Sequence, residues 1–128
     1  GYSYFGGPDK EMITFARRHQ KPVFIAEATP VREMDNLFYD TDLGKEELQE
    51  LIWEQWFVPF FETIEQNSDV VKAFSYINSD WTSQPMWITN PVFQQVDSRI
   101  HMSAYISQKW KEKMAQVHYL NAKDEPWK

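Results

Sequence analysis

Apolar and polar positions along the chain fall into an alternation of short continuous runs and longer periodic stretches. Gly1-Tyr-Ser-Tyr-Phe5 has the look of a strand end, and Gly6-Gly7-Pro8-Asp9 supplies a loop and a helix start. Met12, Phe15 and Ala16 follow at helical spacing, predicting an amphipathic helix to about His19 that Lys21-Pro22 terminates. Val23-Phe24-Ile25-Ala26 is an unbroken apolar run, the pattern of a parallel strand covered on both faces. It ends at Glu27 and the turn-like Ala28-Thr29-Pro30. A polar connection over 31–43 precedes a long helix from about Lys45, with Leu48, Leu51, Ile52, Gln55 and Trp56 as its buried stripe. Pro59 should kink or restart that helix, because it has no N–H to donate to the carbonyl of Gln55. Phe60 and Ile64 carry the stripe on to Asn67-Ser68, and residues 70–77 form the next strand. After a loop rich in Pro, Trp and Asn, a last helix from near Ser103 sets Ile106, Trp110 and Met114 in steps of four.

The order strand, helix, strand, helix, strand, helix predicts an α/β fold with a parallel sheet. The 128 residues suit a single domain over 1–128. Aromatic content changes the picture: six Trp, six Tyr and nine Phe make 16% of the chain. Such rings serve either a ring-rich core or stacking against a ligand with an apolar face, of which a sugar is one. A net charge of −6 with scattered basic residues argues against nucleic acid as a partner. No apolar run is long enough to span a bilayer, so no membrane partner is expected. The absence of Cys leaves the redox compartment open.

A carboxylate ending an apolar strand is the feature that asks for chemistry. Val23, Ile25 and Glu27 share one face of an ideal strand. If that face lines a barrel, Glu27 projects at the C-terminal mouth, where barrel active sites are built. The plainer alternative is a Glu that caps the next helix or pairs with Arg32 or Arg99.

Lys21-Pro-Val-Phe-Ile-Ala-Glu-Ala-Thr-Pro30 resembles the seventh strand of clan-A retaining glycoside hydrolases, in which a basic residue, a proline and an apolar strand precede a glutamate. Val71-Lys-Ala-Phe-Ser-Tyr-Ile-Asn-Ser-Asp-Trp81 is similar to the eighth strand, which ends in a tryptophan beneath the sugar. Trp53-Glu-Gln-Trp56-Phe57, Gln84-Pro-Met-Trp87 and Asp97-Ser-Arg99-Ile resemble family 26, the β-mannanase family. The resemblance implies a partial (β/α)8 TIM barrel: the end of strand 6, strands 7 and 8, and helices 6 to 8. It makes Glu27 the nucleophile and Tyr4, at the end of strand 6, the residue that hydrogen-bonds it and keeps it ionised. Trp81 becomes the sugar platform, with Asn78, Asp80 and Trp87 as further substrate contacts. For Asn78 and Asp80 a polar turn closing the strand is an equal alternative.

Retaining glycosidases need two carboxyl groups about 5–5.5 Å apart. The family's acid/base lies on strand 4, upstream of residue 1, and a full barrel needs about 250 residues. The resemblance therefore implies a truncated chain with the nucleophile half of a site for a β-linked, mannan-like polysaccharide, inactive alone, whose full-length parent is secreted or periplasmic. The alternative function is a non-catalytic carbohydrate-binding or structural α/β module. No cofactor is expected. Asp40-Thr-Asp42-Leu-Gly44 has its glycine one place early for a calcium loop, and Leu51 where the bidentate glutamate belongs. His19, His101 and His118 lack ligand spacing, so no metal is expected.

An opened barrel leaves strand edges and an apolar face uncovered. This predicts either a homo-oligomer or a three-stranded sheet whose helices fold over the bare side. Small-angle scattering over rising concentration should report a growing assembly mass, and a well-packed monomer at high concentration would contradict the oligomer.

Overall fold

The computed structural model describes residues 8–30, 45–90, 93 and 96–121. Its elements are α1 (Pro8–Arg18), β1 (Val23–Ala28), α2 (Lys45–Ile52), α3 (Val58–Gln66), β2 (Val71–Tyr76) and α4 (Ala104–Met114). The expected strand at residues 1–5 lies outside the described residues. Two strands form the described sheet, β1 and β2, hydrogen-bonded in parallel. Parallel neighbours need a long crossover, and here α2 and α3 provide it.

The end of α1 is set by backbone hydrogen bonding. Lys21 N–H reaches the Ala16 carbonyl at 2.9 Å and Gln20 N–H the Arg17 carbonyl at 3.2 Å. That paired pattern is a Schellman stop, which requires a left-handed residue in the turn, and Gln20 supplies it with φ 53°. A fork from Arg17 to both Asp69 carboxylate oxygens, at 2.6 and 3.0 Å, ties α1 to the turn before β2. The expected stripe of α1 is rotated by one residue. Ile13 and Ala16 are buried, whereas Met12 and Phe15 are 47% and 61% exposed. Phe15 lies against the His19 ring, centroids 4.2 Å apart.

Pro59 acts on the residues before it. Between α2 and α3, Trp53–Phe57 form a π turn, and Val58 N–H bonds to the Trp53 carbonyl. Because Pro59 cannot complete the ordinary ladder, the helix carries a wide turn just ahead of it instead of stopping. A step of four residues overshoots an α-helical turn by about 40°, and the wide turn takes back part of that drift. Ile52, Trp56, Phe60 and Ile64 thus stay on one face beside Trp53, Phe57 and Phe61, and all seven are buried. The expected stripe is corrected accordingly: Gln55 is exposed and Leu48 and Leu51 are half-buried.

These rings make the core. Trp56 stacks on Phe60 with centroids 5.0 Å apart, and Trp53 on Phe57 at 5.0 Å. Phe60 meets Phe74 of β2 edge-on at 5.3 Å, and Tyr76 packs on Trp110 of α4 at 5.3 Å. Edge-on and offset pairs of this kind add about 0.5–1.5 kcal/mol each beyond area burial. Most of the aromatic content is therefore structural. Ser103 caps α4 by accepting from Ile106 N–H at 3.1 Å, and its hydroxyl donates to Gln49 Oε1 of α2 at 2.8 Å.

The helices cover one face of the sheet. Val23, Ile25, Phe74 and Tyr76 join the helical core, while Ala26, Ala73 and Ser75 on the other face are exposed and Phe24 is 59% exposed. The expectation of a strand covered on both sides does not describe β1, whose second face is bare among the described residues. Strict alternation also fails. Ile25 pairs with Phe74 and Ala28 with Tyr76, so Ala26 and Glu27 together stand opposite Ser75. This extra residue is a bulge, and it takes Glu27 out of the Val23/Ile25 series.

Residues 115–121 are held to the core by one carboxylate oxygen. Glu65 Oε1 accepts from Lys113 Nζ at 2.6 Å and Tyr119 OH at 2.8 Å, with His118 Nε2 at 3.3 Å. Burial opposes the charged form, and the Lys113, Tyr119 and His118 donors outweigh it, so the Glu65 carboxyl is held below its ordinary 4.5.

Two stability measurements follow from these contacts. Gln20→Gly removes a left-handed cost of about 1–2 kcal/mol against an added chain-entropy cost of about 0.5–1 kcal/mol. Denaturant titration should show the variant about 0.5–1 kcal/mol more stable, and equal or lower stability would contradict the αL assignment. Glu65 has a folded pKa below its unfolded one, so its contribution is complete above the unfolded value and is lost as pH falls through the folded value. Glu65→Gln should be less stable than the wild type at neutral pH and lose less stability between about pH 6 and 3.

Candidate functional site

The strand C-termini meet at one rim. Ile77 N–H bonds to the Ala28 carbonyl at 2.9 Å, which carries the parallel ladder past Tyr76 and sets Asn78 beside the end of β1. Glu27 is exposed there, and no hydrogen bond or ion pair joins its side chain to another described residue. Arg99, a candidate partner for Glu27, is committed elsewhere. It forks Asp97 at 2.9 and 2.7 Å and reaches Asp80 Oδ2 at 3.6 Å.

Trp81 lies five residues beyond the end of β2 at Tyr76 and is buried, 9% exposed. Its indole Nε1–H donates to Ser98 Oγ at 3.0 Å and lies 3.4 Å from Thr29 Oγ1. Thr29 is two residues after Glu27, so the Trp81 indole touches the segment that carries the carboxylate. Phe93 packs on Trp81 at 4.6 Å and Trp87 on Phe93 at 4.8 Å. This second ring cluster is separate from the helical core, and Trp87 is its half-exposed member.

Asn78 and Asp80 shape the rim. Asn78 Oδ1 accepts from Ile100 N–H at 2.7 Å, anchoring the loop that returns to α4. Asp80 Oδ1 accepts from Thr82 N–H at 3.1 Å and Thr82 Oγ1 at 2.6 Å, capping the 3-10 turn Trp81–Ser83. An isolated antiparallel bridge pairs Asp80 with Asp97. Both side chains thus have the turn-closing contacts that the sequence allows as an alternative to sugar binding. Tyr4 lies outside the described residues.

Hydrogen bonds from Arg99 hold the Asp97 carboxyl below its ordinary range, against partial burial. A general acid at neutral pH needs a raised carboxyl pKa instead, so Asp97 is unsuited to protonate a leaving group. Tyr76, whose hydroxyl donates to the Ser98 carbonyl at 2.6 Å, is pushed above its usual pKa by burial and stays neutral. Among the described residues, no group of three or more His, Asp or Glu side chains is placed to hold a metal, and no helix is long and apolar enough to cross a membrane.

The structure brings Glu27, Asn78, Asp80 and Trp81 to a common rim and sets Trp87 in the ring cluster beside Trp81. It adds Thr29, Ser98 and Arg99, which sequence reasoning did not assign to the site. Asp97-Ser-Arg99-Ile stood out as a motif, yet nothing in a loop serine signals that it accepts an indole hydrogen bond from a residue 17 positions away.

No family model matches the chain. Among characterised proteins it is similar to the beta-1,3-xylanase TXYA of a Vibrio species, 37% identical over 139 residues, covering 98% of this chain and 30% of that protein. It is also 35% identical over 135 residues to a beta-1,3-xylanase of an Alcaligenes species, covering 94% of this chain and 29% of that one. The chain thus spans about 30% of the length of these relatives and is homologous to one segment of these glycoside hydrolases.

Proposed function

We propose that the chain is the nucleophile-bearing part of a retaining glycoside hydrolase acting on a β-linked polysaccharide, with Glu27 as nucleophile. The observation that carries this is an exposed carboxylate at the end of a parallel strand whose neighbour leads, five residues on, to Trp81, in a chain homologous along nearly its whole length to beta-1,3-xylanases. The names of the relatives favour β-1,3-linked xylan as the substrate, whereas mannan rests on the resemblance of short motifs to family 26. The two-stranded unit is the part of a (β/α)8 barrel in which strands 7 and 8 are neighbours, and the helix-free face carrying Phe24, Ala73 and Ser75 is turned to the barrel interior. In the isolated chain that face is covered by a second copy.

In this scheme Glu27 attacks the anomeric carbon, the leaving oxygen takes a proton from an acid supplied by another part of the enzyme, and water releases the glycosyl intermediate. The nucleophile must be open to the anomeric carbon, and the exposed Glu27 side chain suits that role. Tyr4 takes, by the resemblance to those barrels, the role of the residue that hydrogen-bonds the nucleophile. Trp81 and Trp87 offer ring faces to successive sugars, and Asn78 and Asp80 orient the rim, with their remaining lone pairs available to hydroxyls. Asp80 and Asp97 are bound to Arg99, which supports assigning the acid to a residue outside this chain.

A chimera in which this chain replaces the matching segment of one of the beta-1,3-xylanases tests the assignment. It should hydrolyse β-1,3-xylan in preference to mannan, and Glu27→Gln should lower kcat by at least about 10³-fold with little change in substrate affinity. Added azide should restore turnover to the Glu27→Ala chimera by taking the vacated nucleophile's place. Undiminished hydrolysis by Glu27→Gln would remove Glu27 from the chemistry, and a preference for mannan would restore the mannan assignment.

A further inference from the structure

Ser98 sits at the junction of the rim and is 5% exposed. Its Oγ lies 3.0 Å from Trp81 Nε1, 2.9 Å from the Ser79 carbonyl and 3.1 Å from the Ile77 carbonyl. A serine hydroxyl has one proton and two lone pairs, an indole N–H only donates, and a carbonyl only accepts. The direction of every bond is therefore fixed. The hydroxyl proton points to the carbonyl pair, and an oxygen lone pair receives the indole. The serine backbone is clamped as well: its N–H donates to the Ser79 carbonyl at 2.9 Å and its carbonyl accepts from Tyr76 OH at 2.6 Å. Just before it in the chain, Asp97 bridges Asp80, and the Val96 carbonyl accepts from Trp81 N–H at 3.1 Å.

From this we infer that Ser98 is a positioning residue that fixes the rotation of the Trp81 ring, and that Trp81 recognises sugar through its ring face alone. The inference rests on the glycan-binding function proposed above. An indole whose N–H already donates into the protein has no donor left for a sugar hydroxyl. What remains for recognition is the part of the apolar ring that burial and Phe93 leave open, which suits the C–H face of a pyranose and ignores the pattern of hydroxyls on its edge. Thr29 Oγ1 does not hold the ring by itself, because 3.4 Å is at the long limit for an N–H···O bond. Ser98→Ala leaves the indole with that acceptor alone, so the ring swings toward the end of β1 and out of register with Phe93. Ser98→Thr keeps the oxygen and its roles.

The test follows the indole N–H signals of the 128-residue chain by two-dimensional NMR, with Trp81→Phe to identify which of the six tryptophan signals is Trp81. In the wild type the Trp81 N–H should exchange slowly with solvent and keep its position when β-1,3-xylotetraose is added, while the ring C–H signals move. Ser98→Ala should speed exchange of that proton and weaken the apparent affinity about tenfold, the scale of one lost buried hydrogen bond. Ser98→Thr should restore both, and far-UV circular dichroism checks that each variant is folded. An unchanged Trp81 N–H in folded Ser98→Ala, or a large N–H shift on adding xylotetraose to the wild type, would overturn the inference. A wild-type chain whose signals ignore the sugar altogether would overturn the glycan-binding function and the platform role with it. That result stands apart from the variant comparison in the free chain, which decides whether Ser98 holds the ring.

Discussion

The parallel pairing of β1 with β2 is the interaction on which the remaining features depend. The ladder from Val23↔Val71 to Ala28↔Tyr76, extended by Ile77 N–H to the Ala28 carbonyl, brings two strand ends 48 residues apart in sequence to the same rim. The crossover helices cover one face only, with Trp53, Trp56, Phe57, Phe60 and Phe61 packed on Phe74 and Tyr76. Those rings are too large and too well interlocked to turn toward the other face. Among the described residues, the exposed Glu27 and the Trp81–Trp87–Phe93 cluster lie at the rim, apart from this helical core.

How much of this was legible in the sequence depended on how local each cause was. Strand positions were readable because the apolar run Val23–Ala26 and the strand pattern of residues 70–77 end in polar turns. The start of α4 was readable because Ser103 caps its own neighbour, Ile106 N–H. Pro59 announced a defect, but its form, a π turn over Trp53–Phe57, and the resulting phase of the buried stripe depended on packing against β2. The bulge opposite Ser75 was invisible for the same reason, since a register shift is a property of two strands and not of one. At the site, Glu27 carried a signal as a charged residue ending an apolar run, and Trp81 through the resemblance of residues 71–81 to an eighth barrel strand. Thr29 and Ser98 carried none, because their roles exist only once the chain has folded back on itself.

The rim also separates two kinds of polar group. Asp80, Asp97 and Arg99 form a closed set in which the guanidinium holds Asp97 ionised and steadies the bridge between the two loop segments. Glu27 has no such partner among the described residues. A solvent-exposed carboxylate costs the fold little, and under the proposed function it is free for attack on an anomeric carbon. Homology to one segment of two beta-1,3-xylanases gives that chemistry a context, and the paired state of the rim aspartates is consistent with an acid contributed by the rest of such an enzyme.

The central claim is that Glu27 forms the covalent bond to sugar. Its most direct measurement is trapping of the intermediate: the chimeric xylanase is treated with a 2-deoxy-2-fluoro-β-xylosyl fluoride, which slows breakdown of the glycosyl-enzyme, and is then digested and sequenced by mass spectrometry. The label should appear on Glu27, in the peptide running from Pro22 to Pro30. A label on any other carboxylate, with Glu27 unmodified, would contradict it.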